Sequence, residues 1–120
     1  MSLIQEFKAL TPPILRGEPN FLEAKNWMKE IKKILDVMAV PEEMRVSLAF
    51  FMLRDEADNW WDMIKTTQDV TKMVWVQFEE LLLSNYFLEA VRRQKRAEFI
   101  HLVLRNMIVT EYAAKFTQLS

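Results

Sequence analysis

Leu53-Arg54-Asp55-Glu56-Ala57-Asp58-Asn59-Trp60-Trp61-Asp62-Met63-Ile64 is the stretch from which the fold is read. At helical spacing Leu53, Ala57, Trp60, Trp61 and Ile64 fall at i, i+4, i+7, i+8 and i+11. Both indoles therefore lie on one apolar stripe, while Asp58, Asn59, Asp62 and Lys65 occupy the other side. Each indole can bury roughly 200 Å², a large share of the core of a small domain. Neighbouring helices are expected to pack around this pair, and the stripe is read as core rather than as a cofactor box.

Upstream, Asn20 can cap a helix with Glu23 at its third position. Ala24, Trp27, Met28, Ile31, Ile34, Leu35 and Met38 keep one face of that helix apolar through Val40. Pro41 suits the first position of the next helix, with Glu42 and Glu43 favourable to its dipole. Asp55 is read as the cap of the Trp-Trp helix. Before Asn20, residues 1–19 read as an extended arm, because Thr11-Pro12-Pro13 cannot continue a helix and Gly17-Glu18-Pro19-Asn20 is a turn.

Downstream, Thr66 to Thr71 is a polar loop. A fourth helix with Trp75, Phe78, Leu81 and Leu82 as its stripe runs to about Tyr86. A fifth is expected from about Glu89 to Leu104 and a last short one from about Val109 to Leu119. Local propensity permits one long rod here, since Thr71 to Asn106 holds no glycine or proline. A break near Tyr86 to Glu89 is nevertheless expected, so that Phe99, Leu102 and Val103 can fold back onto the core. The fold class is thus all-α: a bundle of about five to six helices with an extended N-terminal arm, anchored by Trp27, Trp60, Trp61, Trp75, Phe78 and Phe99.

Composition agrees with one domain. The chain has 120 residues, 51% of them hydrophobic, with a single glycine and four prolines that all precede position 42. Its eight Phe, four Trp and eight Met argue against disorder. Cysteine is absent, which removes disulfides and thiolate metal sites and leaves a cytoplasmic or nuclear setting as the default. A net charge of −1 excludes the chain as a whole from electrostatic nucleic-acid binding. The apolar run Leu48 to Leu53 is far too short to span a membrane, and no signal sequence opens the chain.

No catalytic constellation is present. Asp55-Glu56-Ala57-Asp58 spells a helicase tetrapeptide, but a phosphate loop needs glycines that the chain lacks. His101, the only histidine, cannot build a metal site. There is no Gly-x-Ser-x-Gly elbow or Asp-Ser/Thr-Gly triplet. Carboxylates sit three or four residues from basic partners, as in Glu30/Lys33, Glu89/Arg93 and Asp62/Lys65, and read as solvated ion pairs. No enzyme, cofactor, metal or small-molecule substrate is expected. Arg92, Arg93, Lys95 and Arg96, with Arg105 beyond, form the one basic concentration. They read as a solvated face balanced by Glu89 and Glu98, with a weak, salt-sensitive polyanion contact as the functional alternative.

The Ala57-x-x-Trp60-Trp61 helix, Leu48-Ala49-x-x-x-Leu53 before it and Trp75-x-x-Phe78 after it together resemble the gag, or capsid-like, family of gypsy-class LTR retrotransposons. So do Gly17-Glu18-Pro19, Ala24-x-x-Trp27, Tyr86-Phe87, Lys95-Arg96-Ala97-Glu98-Phe99 and Met107-x-Val109-x-Glu111-Tyr112 with Phe116 and Leu119. No single piece is specific, but they run in register over roughly residues 10 to 119.

The resemblance implies a structural, self-associating capsid protein. It implies an N-terminal lobe over 20–105 and a truncated start of the C-terminal lobe over 106–120, with Glu111, Tyr112, Phe116 and Leu119 matching the second lobe's homology motif. RNA packaging in the family uses a Cys/His zinc knuckle, which this sequence lacks, so RNA is not expected as a direct partner. Shell formation by this segment alone is not expected either; its self-association should be weak. The alternative is a gag-derived cellular adapter that binds a partner peptide or helix beside the tryptophans.

Departures from the family pattern fall at special positions. Asp55 and Arg105 stand at usual glycines, Leu88 at a usual proline, and Val74 and Ile108 at usual caps that Thr71 and Thr110 could replace. Gly to Asp, Gly to Arg and Pro to Leu are each one C-to-T or G-to-A transition, the pattern of a decaying, degenerate copy.

Overall fold

The computed structural model describes residues 2–18 and 20–119, with side chains described through Lys115. Five α-helices make up the described chain: α1 (Leu3–Ala9), α2 (Phe21–Val37), α3 (Glu42–Ala49), α4 (Asp55–Thr67) and α5 (Trp75–Leu119). The only β-type pairing among the described residues is an isolated parallel bridge between Leu15 and Leu53. The all-α expectation therefore holds.

The first residues are not wholly an extended arm. Ser2 and Gln5 close a capping box, Ser2 N–H donating to Gln5 Oε1 at 2.9 Å and Gln5 N–H to Ser2 Oγ at 3.3 Å. The short α1 that follows places Phe7 fully inside the core. Extended chain begins only after Thr11. There Pro12 is buried, and the Pro13 carbonyl accepts a 2.8 Å hydrogen bond from Trp27 Nε1. Leu15 then pairs with the entry to α4, its N–H donating to Met52 O at 2.9 Å and its carbonyl accepting from Arg54 N at 2.8 Å.

Asn20 caps α2 as expected, its Oδ1 accepting from Glu23 N at 3.1 Å. Ala24, Trp27, Met28, Ile31 and Leu35 are the buried face. Pro41 is the N-cap of α3 rather than its first residue, and α3 tightens at Phe50–Met52 into one 3-10 turn. Asp55 is not the cap of α4. Arg54 holds that position without a side-chain cap bond, while Asp55 takes a left-handed φ of 54° and turns its carboxylate to Arg16 Nη1 at 3.0 Å. Glycine is at ease at such a φ and most other residues are not, which is a backbone reason for the glycine that the gag resemblance places there.

Phe78 is the hub of the core. Its ring meets Trp61 edge-on at 5.3 Å between centroids and lies 5.6 Å from Trp75 and 6.3 Å from Trp27, with Phe50 stacked on the other side of Trp61 at 5.9 Å. Trp61 and Phe78 are fully buried, Trp27 and Trp75 nearly so, and Trp60 is half-buried.

α5 is one continuous helix of 45 residues, so the expected break at Tyr86 to Glu89 is absent. Phe99, expected as a core anchor, is 66% exposed, and Leu102 and Val103 are exposed with it. The fold-back requires that Phe99, Leu102 and Val103 supply apolar cover to the core and that this packing outweigh helix propensity. Phe7 and Leu15, from the segment read as an arm, supply that cover, and nothing remains to outweigh the helix propensity of Leu88-Glu89-Ala90. The separate helices over 89–104 and 109–119 are accordingly one, and Thr110 is not a cap: its hydroxyl donates to Asn106 O within the helix. Thr71 does not replace the cap at Val74 either, since it bonds Asp69. The start of α5 is held by Glu42 Oε1, which accepts from Trp75 N at 2.7 Å, and by Gln77 Oε1, which accepts from Val74 N at 3.1 Å. α5 leaves the bundle after Tyr86 and stretches the molecule to 82 × 29 × 20 Å.

Candidate functional site: the Trp60 groove and the projecting helix

Where the extended segment, α4 and α5 meet, an open groove of about 490 Å³ is lined by Gly17, Ala57, Trp60, Met63, Tyr86 and Glu89, among others. Gly17 makes the meeting close. Its φ is +95°, and a Cβ there would stand 2.5 Å from Ala57 N and 2.8 Å from Glu56 Cβ. Trp60 thus does two things, packing against Trp61 at 6.0 Å and presenting its outer edge to the groove.

Tyr86 forms the groove's inner wall. Burial first, and the Glu23 carboxylate second, push its phenol up to about 12, with the nearby Gly17 backbone acting in the opposite sense. That backbone completes no hydrogen bond to the hydroxyl, which is buried without a partner, as are Trp61 Nε1 and Trp75 Nε1. At the far end of α4, Thr71 holds the exposed Asp69 carboxyl below its usual range through its hydroxyl and backbone hydrogen bonds.

The basic segment lies on the solvated part of α5. Arg92 pairs with Glu89 at 2.6 Å and Lys95 with Glu98 at 3.6 Å. Glu89 therefore pairs with Arg92, not with Arg93 as the spacing suggested, and Arg93 and Arg96 have no ion pair among the described residues. Asp62 and Lys65 do pair, at 3.1 Å, whereas Glu30 and Lys33 do not. Of the homology-motif residues, Glu111 and Tyr112 are exposed on α5; the side chains of Phe116 and Leu119 lie outside the described ones.

The signal that sequence reading missed is periodic. Trp75, Phe78, Leu82 and Tyr86 are the buried face of α5. Eleven residues make just over three whole turns, so the same face continues as Glu89 at the edge of the groove and then as Arg93, Ala97, Ile100, Leu104, Met107 and Glu111 beyond the bundle. Among the described residues no three His, Cys, Asp or Glu side chains gather as a metal site, and no helix is long and apolar enough to cross a membrane.

A helical bundle with a Trp-Trp centre, sealed by an extended N-terminal segment and lacking any gathered ligand set among the described residues, has the character of a retrotransposon-derived, gag-type capsid-like domain. Comparison with known families agrees: residues 9–87 match the family described as "Retrotransposon-derived protein PEG10, N-terminal capsid-like domain", and the chain belongs to that family. The match ends one residue past Tyr86, the last buried residue of α5. Neither the curated proteins nor the solved structures gave a match.

Proposed function

We propose that the chain is a non-enzymatic structural protein of a gypsy-class LTR retrotransposon, acting in the cytoplasm by self-association of capsid-like units. The observation that carries this reading is the division of α5. Its first third completes the family's bundle, while Ile100, Leu104, Met107, Ile108 and Val109 beyond it are each more than half exposed. Apolar surface of that extent on one projecting element is an association surface. Light scattering over a concentration series tests it: the mass should rise from the 14.3 kDa of one chain as concentration increases. A mass fixed at one chain up to millimolar concentration would overturn the proposal.

A second reading, an adapter descended from gag that binds a partner peptide or helix, is favoured by the open groove beside Trp60. A pull-down that recovers one defined non-self partner, lost on Trp60→Ala, would favour it over self-association.

A further inference from the structure

We propose that two copies of this chain pair antiparallel along the projecting part of α5, with Arg93 of each opposite Glu111 of the other. The end of each helix then runs along the Trp60 groove of the other copy. The inference deepens the self-association reading and rests on it.

The argument starts from the face that α5 carries out of the bundle. Its members, in order, are Glu89, Arg93, Ala97, Ile100, Leu104, Met107 and Glu111: an acidic and then a basic position near the bundle, an apolar middle and an acidic position near the far end. A face of this kind cannot pair with itself in parallel, because Arg93 would meet Arg93 and Glu111 would meet Glu111. Turned antiparallel about a twofold axis level with residue 102, it matches throughout. Arg93 comes level with Glu111, Ala97 with Met107 and Ile100 with Leu104, and symmetry repeats each pair. The same register sets Glu89 level with Lys115; Arg96 falls level with Ile108 and stays at the rim. Arg93 and Glu111 are well suited to this, since neither has an ion pair among the described residues, unlike Arg92 and Lys95.

Concavities follow the face. One is lined by Glu89, Arg93, Arg96, Ala97 and Ile100, the next by Val103, Met107 and Glu111 among others, so a second helix has a shallow channel to lie in. In this register residue 119 of the second copy stands level with residue 85, and residue 115 with residue 89. Asn85, Tyr86 and Glu89 line the Trp60 groove. The helix stripe alone falls short of the roughly 20–30 residues a side of a standard interface; the groove wall at its end extends it. The pair is therefore a weak, reversible one.

Charge exchange tests the register. Sedimentation of Arg93→Glu and of Glu111→Arg should each give a dimer dissociation constant raised about 10-fold, and the double variant R93E/E111R should return to within about 3-fold of the parent. Both positions are exposed, and unchanged circular dichroism verifies folding. Because the chain has no cysteine, single-cysteine chains give an independent readout: Ile100→Cys mixed with Leu104→Cys should cross-link on oxidation in preference to either chain with itself. A parent that associates while the double variant stays weak, or cross-links mainly as 100 to 100, overturns the antiparallel register and leaves self-association standing. A parent that never associates overturns both.

Discussion

Gly17→Ala tests the seating of the N-terminal segment on α4 most directly. At φ +95° an alanine leaves its allowed regions, at a cost of about 1–2 kcal/mol. The new Cβ would also stand 2.5 Å from Ala57 N and 2.9 Å from Glu56 C, both backbone atoms that cannot swing aside. Overpacking of this kind costs about 1–3 kcal/mol. If the segment lifts instead, the bonds from Arg54 N to Leu15 O (2.8 Å) and Ala57 N to Arg16 O (3.3 Å) weaken, each worth about 0.5–1.5 kcal/mol. Loss of glycine's freedom in the unfolded chain returns about 0.4–1 kcal/mol.

The balance is a loss of roughly 1–4.5 kcal/mol, or a fall in Tm of about 5–20 °C for a domain of this size. Urea unfolding followed by tryptophan fluorescence reads it directly, because Trp60 and Trp61 lie beside the contact. Asp55→Gly is the complementary variant. It relieves a left-handed residue and gives up only an exposed ion pair with Arg16, so its stability should stay within about 1 kcal/mol of the parent. A Gly17→Ala protein as stable as the parent would refute the close approach on which the reasoning depends.

Trp61→Ala should cost about 3–5 kcal/mol, since the indole is fully buried between Phe50 and Phe78; a melt within a few degrees of the parent would show the ring to be peripheral. Tyr86→Phe removes a buried hydroxyl without a partner and should be neutral or stabilising by up to about 1 kcal/mol in denaturant melts. Because folding raises the Tyr86 phenol from 10.0 to about 12, its neutral form favours the folded state. That contribution is complete below pH 10 and lost as pH rises towards 12, so Tyr86→Phe should flatten the stability profile over this window. Leu88→Pro, at an exposed position just past the bundle, should break α5 there at a cost of about 3 kcal/mol to the helix. Small-angle scattering would then show a maximum dimension below that of the parent while the tryptophan environment stays unchanged.

The bundle was legible because its signals are local and periodic: the Asn20 cap, the α2 stripe from Ala24 to Leu35, and the Trp60-Trp61 pair each announce themselves within one helix. The Ser2-x-x-Gln5 box is equally local, and the α1 helix it starts carries Phe7 into the core, a residue absent from the expected anchors. The expected bend in α5 assumed that packing of Phe99, Leu102 and Val103 on the core outweighs helix propensity, and all three are exposed. Asp55 as a cap failed for a different reason: capping ability is a side-chain property, whereas Asp55 has a left-handed φ between the bridge of Leu53 to Leu15 and α4, and Arg54 takes the cap position. Glu42 holding Trp75 N joins positions 33 apart in sequence, and no pattern within either helix signals it. The groove was expected only as a place beside the tryptophans, because Gly17 and Tyr86 reach it from distant parts of the chain.

The projecting part of α5 has a thermodynamic character of its own. An isolated helix must first close a turn, with a nucleation constant of about 10⁻³, equivalent to roughly 4 kcal/mol. In this chain the turns from Trp75 to Tyr86 are fixed by the core, so residues beyond Phe87 only add to an existing helix, each step gaining or losing a few tenths of a kcal/mol. Amide exchange along α5 should therefore fall off smoothly from Tyr86 towards the C-terminus instead of in one step. Any surface that covers the outer turns would move that gradient outward, residue by residue, which makes the exchange profile of a single helix a gauge of how much of it is occupied.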